Sequence, residues 1–359
     1  MITTINNKHN KLNVPNLRFK EFQGEWEDFL INDVCSEFKS GKNIKADSVF
    51  ECGEYPVYGG NGLRGYTSSY NHEGSYVLIG RQGALCGNVR SVYGKTYITE
   101  HAIAVAGNEK SNTNFLHYLF LKMNLGQYSD QSAQPGLAVN KLLKLKVALP
   151  IISEQTKIAK LLSLLDERIA TQNKIIEKMQ TLIKGIAHKV SKQGKPNIRL
   201  SECLLCTSST LQESDVAEVG AYPVYGANGI VGYLDTYNTT SEAIYIIKDG
   251  SGVGTVSCVK GKCSATGTLN ILQTKEGFSL RYLYFILKVF SFEPYKTGMA
   301  IPHIYFKDYG KAKIYCPSNQ LQCKYADLLS KIEQKATAEQ KILDNLCSQK
   351  QYLLCQMFI

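Results

Sequence analysis

Apolar positions recur every seven residues in one stretch of this chain. Ile158, Leu162, Leu165, Ile169, Ile176, Met179 and Ile183 are spaced alternately four and three apart once Gln172 is counted in the series. Such spacing predicts one long helix with a coiled-coil seam. A weaker version runs through Leu329, Ile332, Glu339, Leu343, Leu346 and Leu353. Each stretch follows a proline and a serine, so Ser153 and Ser318 are expected as N-caps. Elsewhere the pattern changes. Short apolar runs such as "SYVLIG" and "EAIYIIK" lie between glycine-rich turns, which predicts short strands. "NFLHYLFLKMNL" (114–125) and "SLRYLYFILKVF" (279–290) each predict a helix packed on such a sheet.

These elements occur twice. "EYPVYGGNGLRGY" (54–66) returns as "AYPVYGANGIVGY" (221–233), so Tyr55 meets Tyr222 at an offset of 167 residues. The same offset relates Gly83 to Gly250, Gly87 to Gly254, Lys95 to Lys262 and Gln155 to Gln322. A repeat this long is a domain rather than a stacking module. The expected organisation is a tail over 1–16, a first β-rich domain over 17–152 and a long helix over 153–192. A second domain over 193–317 and a second helix over 318–359 complete it. The fold class is α+β. Two equal halves pair naturally about a pseudo-twofold axis, and an axis perpendicular to the helices makes them antiparallel. Each helix would then be roughly 50 Å long, with a β-rich domain at either end. Gln172 and its counterpart Glu339 interrupt the seam, and two readings stand: they fix its register, or they face a gap filled by solvent.

Composition narrows the picture modestly. Apolar residues make up 44% and charged residues 20% of 359, ordinary for a globular protein. No run of 18 apolar residues occurs, and the polar start lacks a secretory h-region, so a cytoplasmic location with no membrane contact is expected. The net charge of +10 is spread without a basic block and favours a polyanionic partner on a folded surface. Of the eleven cysteines, only Cys203 and Cys206 form a CxxC, and a zinc ribbon needs a second one. Cys203 falls near the place of Val34 in the first copy, so it reads as a small hydrophobe, and no metal site is expected.

With "VPNLRF-KEFQGEWEDFLINDV" at the start, the twin "YPVYGxNGxxGY" strings and "LPIISEQTKIAKLLSLLDERIA" opening the first long helix, the chain resembles the specificity subunit of type I restriction–modification systems. The resemblance runs from about residue 15 to 355. It implies two target recognition domains, inverted relative to one another and separated by an antiparallel helical pair. It also implies a non-catalytic subunit that contacts both halves of a split double-stranded DNA sequence. Such a subunit docks two methyltransferase subunits and, with them, restriction and translocase subunits. S-adenosylmethionine, ATP and Mg would belong to those partners. The second copy departs from the pattern: "PSNQLQCKYADLL" loses the Glu-Gln pair, and "KPNIRLSECLL" shortens the segment that holds Trp26.

The residues offer no catalytic constellation. No Pro-Pro occurs, so the Asn/Asp-Pro-Pro-aromatic turn of amino-methyltransferases is missing. "GSGVGT" (250–255) glances at a nucleotide loop, but its first copy reads "GALCGN", with Leu85 in the place of Gly252, so the GxG is not part of the shared unit. Recognition residues are sought through the repeat itself. Positions kept in both copies build scaffold or hold phosphate, and polar positions that differ are suited to reading different bases. Arg64 stands against Val231, Arg81 against Lys248, Gln82 against Asp249, and His101 against Thr268. Arginine and lysine suit guanine, glutamine suits adenine, and aspartate suits the cytosine amino group. Lys95 and Lys262 are kept, as phosphate contacts or as plain solvated lysines. The shared Tyr58, Asn61, Tyr66, Tyr225, Asn228 and Tyr233 read mainly as scaffold with tyrosines in reach of the DNA backbone. Gln131, Gln134, Lys296 and His303 lie in loops where the two copies lose register, which is where specificity usually lives. The competing function is a coiled-coil adaptor that docks proteins without reading DNA.

Overall fold

The computed structural model describes residues 2–4, 13–130, 135–298 and 300–359. Four helices exceed a single turn or two: α1 (Thr113–Met123), α2 (Ile152–Ser191), α3 (Leu280–Leu287) and α4 (Asn319–Gln356). The chain divides into two compact units. One holds residues 1–171 and 343–359, the other 172–342. Each unit therefore combines a β-rich region with half of α2 and half of α4, rather than with one whole helix.

The first unit is built on a six-stranded sheet in the order Cys35–Ser40, Ala102–Gly107, His72–Gly80, Val89–Ile98, Tyr55–Gly59, Gly62–Thr67. Alternation sorts its side chains between two faces. Val77, Ile79, Ile103 and Val105 face α1 and meet Phe115, Leu116 and Leu119 in the main core. Leu78, Val92, Ile98, Ala102 and Ala104 form a smaller cluster with Tyr58 on the opposite face. Residues 2–4, expected in a tail, form a strand antiparallel to Leu17–Phe19.

The second unit repeats this plan with the sheet split in two. Leu204–Ser208, Leu269–Thr274, Ala243–Ile247 and Val256–Val259 form four strands, and Gly229–Leu234, Tyr222–Gly226 and Ser264–Ala265 form three. The twin strings superpose in detail. Val57 pairs in parallel with Tyr97, and Val224 with Ser264, which are the same positions 167 residues on. Both hairpins bulge after the valine. Gly62 and Gly229 take φ of +103° and +104°, a backbone region that side-chain-bearing residues avoid. The string is thus a strand, a tight turn and a return strand.

In each unit the seam residues lie on the inner side of an antiparallel helix pair. Ile158 and Leu162 share a core with Leu354 and Met357, and Asp166 pairs with Lys350 at 2.5 Å. Leu165, Ile176, Ile183, Leu329, Leu343 and Leu346 are buried, and Ile169, Met179, Ile332 and Leu353 are half-buried. In the second unit Gln172 donates through Nε2 to the Glu339 backbone oxygen at 3.0 Å and to its carboxylate at 2.6 Å. The polar break is a hydrogen-bonded pair of repeat-equivalent residues, not a solvated gap.

Two side chains fasten each sheet domain to its long helices. Buried Gln155 accepts from the Asn112 backbone N–H and donates to the Lys110 and Pro150 carbonyls at 2.8–2.9 Å. Gln322 accepts from the Ser279 N–H at 3.0 Å and donates to the Pro317 carbonyl at 2.8 Å. The glutamine is kept in both copies, so only Glu154 is lost from the Glu-Gln pair. Tyr118 donates to Asp166 at 2.9 Å, and Tyr284 to Glu333, the equivalent carboxylate, at 2.7 Å. The N-cap expectation holds its place at Ser318, whose carbonyl accepts from Leu321 and Gln322. It fails at Ser153, because the Ile151 carbonyl accepts the first helical N–H groups and leaves Ser153 inside the first turn. Cys203 is fully buried, and burial pushes its thiol up to about 12, as suits a core thiol. Among the described residues no helix is long and apolar enough to cross a membrane, and no cluster of His, Cys, Asp and Glu could hold a metal ion.

Candidate nucleic-acid interface

In the first unit, the turn of the string, the end of strand His72–Gly80 and the loop before Ala102 converge. The parallel pairing of Tyr55–Gly59 with Val89–Ile98 forces this, because it carries the 59–62 turn to the loop that follows Ile98. The Thr99 N–H donates to the Tyr58 carbonyl at 2.9 Å, and the Arg81 N–H to the His101 carbonyl at 3.0 Å. The result is an open cavity of about 280 Å3 lined by Gly59, Gly60, Asn61, Arg64, Gln82, Gly83 and His101. Asn61, Arg64, Gln82 and His101, four residues separated by up to 40 positions in the chain, share it. The Arg64 stem lies over Gly59, its Cδ 2.9 Å from where a Cβ would stand. The His101 Nδ1 is 3.3 Å from the Gln82 side-chain oxygen, and its Nε2 is 3.1 Å from Glu100. Arg81 stands next to Gln82, and its backbone is fixed by His101 and Leu137.

The equivalent place in the second unit is furnished differently. Val231 lies over Gly226 where Arg64 lies over Gly59. Asp249 occupies the place of Gln82 and holds the His303 Nδ1 at 2.6 Å, with Lys248 preceding it. Gln82 bridges to Gly136 as Asp249 bridges to His303, again 167 residues apart. Each domain thus brings a histidine to the same carboxamide or carboxylate. His101 arrives from the loop after the long strand, and His303 from the loop after α3. Asn228 is exposed at the second turn. Lys296 precedes Thr297, which bridges to His303, and pairs with Glu293 at 2.5 Å.

The remaining candidates separate by burial. Tyr58 packs on the smaller cluster, and Tyr225 packs on Tyr245 with ring centroids 5.9 Å apart; burial raises its hydroxyl pKa. Tyr66 and Tyr233 are half-buried, with backbones paired to Phe50 and Ala217. All four tyrosines are half-buried against the scaffold. Lys95 stands 4.9 Å over the Tyr70 ring, and Lys262 stands 4.8 Å over Tyr237, its equivalent. Both ammonium groups cap a tyrosine pair, Tyr55–Tyr70 and Tyr222–Tyr237, at 5.0 and 4.9 Å between centroids. Gln131 and Gln134 fall outside the described residues. Arg90 was missed in the sequence. Its guanidinium lies on the Gly62 turn, 3.2 Å from where a Cβ would stand. The one signal was its mismatch with Ser257 in the repeat.

Comparisons with known proteins follow the same lines. Residues 23–181 and 203–347 each match the type I restriction modification DNA specificity domain. The chain is 42% identical over 154 residues to the type I restriction enzyme EcoprrI specificity subunit of Escherichia coli; the match covers 42% of this chain and 38% of that protein. It is 24% identical over 365 residues to the putative type I specificity subunit S.MgeORF438P of Mycoplasma genitalium, covering 91% and 92%. The fold is similar to the crystal structure of a type I restriction-modification S subunit from M. genitalium, with a TM-score of 0.75, 20% identity and coverage of 96% and 99%. With both of its β-rich domains matched in tandem, the chain belongs to the type I restriction–modification DNA specificity family.

Proposed function

We propose that this chain is the non-catalytic, DNA-reading subunit of a type I restriction–modification complex. Each β-rich domain reads one half of a bipartite duplex sequence. The helical pair docks two methyltransferase subunits, which bring S-adenosylmethionine, and through them the ATP- and Mg-dependent restriction subunits. The observation that carries the reading is the cavity at the 59–62 turn. Gly59, Asn61 and Gly83 are kept in both copies, while three of its polar side chains, Arg64, Gln82 and His101, differ between them. Shared backbone with exchanged hydrogen-bonding groups is what two readers of different base edges need.

Methylome sequencing with and without the gene tests this. The expected result is loss of one split methylation motif. An unchanged methylome would sink the reading and favour an adaptor that reads no DNA. Exchange of residues 17–152 for those of a relative should alter only one half of the motif.

A further inference from the structure

Arg90 lies on the strand Val89–Ile98 and is directly opposite Leu78. Opposite residues of an antiparallel pair share a face. Arg90 therefore projects on the face of Leu78 and Val92, the side away from α1 and toward the 59–62 turn. There its guanidinium lies against Gly62, while the Arg64 stem lies against Gly59. The two arginines flank the turn whose Asn61 lines the cavity. Both are exposed, and among the described residues neither guanidinium engages a carboxylate or a carbonyl.

The second copy replaces both together. Val231 stands for Arg64 and Ser257 for Arg90, whereas Lys95 is kept as Lys262. Both halves of a duplex present the same phosphates, so a phosphate contact is equally useful in both copies. A contact to a base edge is useful only where that base occurs. The joint exchange of the pair thus marks base reading, and a guanidinium fits the O6 and N7 of guanine through two parallel hydrogen bonds.

We propose that Arg90 and Arg64 read guanine in the half-site of the first recognition domain, each on its own G·C pair. The inference rests on the DNA-reading function proposed above. The test is methylome sequencing of the intact complex carrying Arg90→Ala, Arg90→Lys or Arg64→Ala, with the first half-site assigned by exchange of residues 17–152. Arg90→Ala should make one G·C position of that half degenerate, with preference for guanine falling on the order of 10- to 100-fold and the other half unchanged. Arg64→Ala should relax a different position. Arg90→Lys keeps the charge but not the planar fork, and should weaken the guanine preference at that same position, less than Arg90→Ala does. Should Arg90→Ala disturb folding, which Trp26 fluorescence would reveal, Arg90→Lys decides. A uniform loss of methylation at an unaltered motif, with a salt slope shallower by about one, would make Arg90 a phosphate contact and overturn the proposal. A first half-site without G·C pairs would overturn it too. A methylome indifferent to the whole gene would instead defeat the proposed function itself.

Discussion

Glu154 offers a sharp test of how the first unit is held together. Its carboxylate has no exposed surface, and Arg18 is only 5% exposed. Arg18 donates through Nε and Nη2 to the two carboxylate oxygens at 2.8 and 2.7 Å, and to the Gly24 and Gln23 carbonyls. Removing one partner of such a pair leaves a buried charge uncompensated, which costs about 3–5 kcal/mol. Replacing both with apolar groups removes the desolvation penalty as well, so the loss is far smaller. In the second half an apolar residue, Leu321, stands at the position of Glu154. Glu154→Ala should therefore lower the melting temperature of the first unit by on the order of 10 °C. Arg18→Met with Glu154→Leu should restore stability to within about 1–2 kcal/mol of the starting protein, because Gln23 and Gly24 lie at an exposed turn where water can replace Arg18. The assay reports on this unit alone. Trp26 is the chain's only tryptophan and packs against Phe115 and Phe358 in the first core. Urea titration followed by its fluorescence reads the transition. A single variant costing under about 1 kcal/mol, or a double variant as unstable as the single, would refute the reasoning.

Other outcomes follow from the same geometry. Burial, with a smaller contribution from Lys350, pushes His117 down to about 4, and its Nδ1 is buried without a partner. The folded state keeps this histidine neutral while the unfolded chain protonates it near 6.5. Stability is thus full above pH 6.5 and falls by about 3 kcal/mol as the pH drops toward 4. His117→Phe should flatten that part of the Trp26 unfolding profile. Gln155→Ala orphans a backbone N–H and two carbonyls and should cost about 3 kcal/mol or more by urea unfolding. Gln322→Ala, with two bonds, should cost less and leave the Trp26 transition in place. If Lys95 and Lys262 hold phosphates, replacing both with alanine should reduce the salt dependence of DNA binding by about two ions, at every sequence alike.

Much of this protein is written locally. The strand–turn–strand of the twin strings follows from Tyr-Pro-Val-Tyr before glycines that accept φ near +103°. The long helices follow from seven-residue spacing. The offset of 167 assigns equivalent places even where residues differ, as Gln82 and Asp249 show. All of these depend on neighbours along the chain or on copying, both visible in one dimension. Tertiary structure decided the rest. The compact units each take half of α2 and half of α4, because antiparallel helices pair opposite ends rather than equal positions. Gln172 and Glu339 meet as equals because such pairing brings repeat-equivalent residues together at its centre. Asn61, Gln82 and His101 share a cavity only because Val57 pairs in parallel with Tyr97. Arg90 meets the Gly62 turn because alternation puts it on that face of the sheet. His303 meets Asp249 in the second domain as His101 meets Gln82 in the first, but from the position equivalent to Gly136 rather than from the loop that holds His101. Sequence spacing carries no record of which loops a sheet will bring side by side.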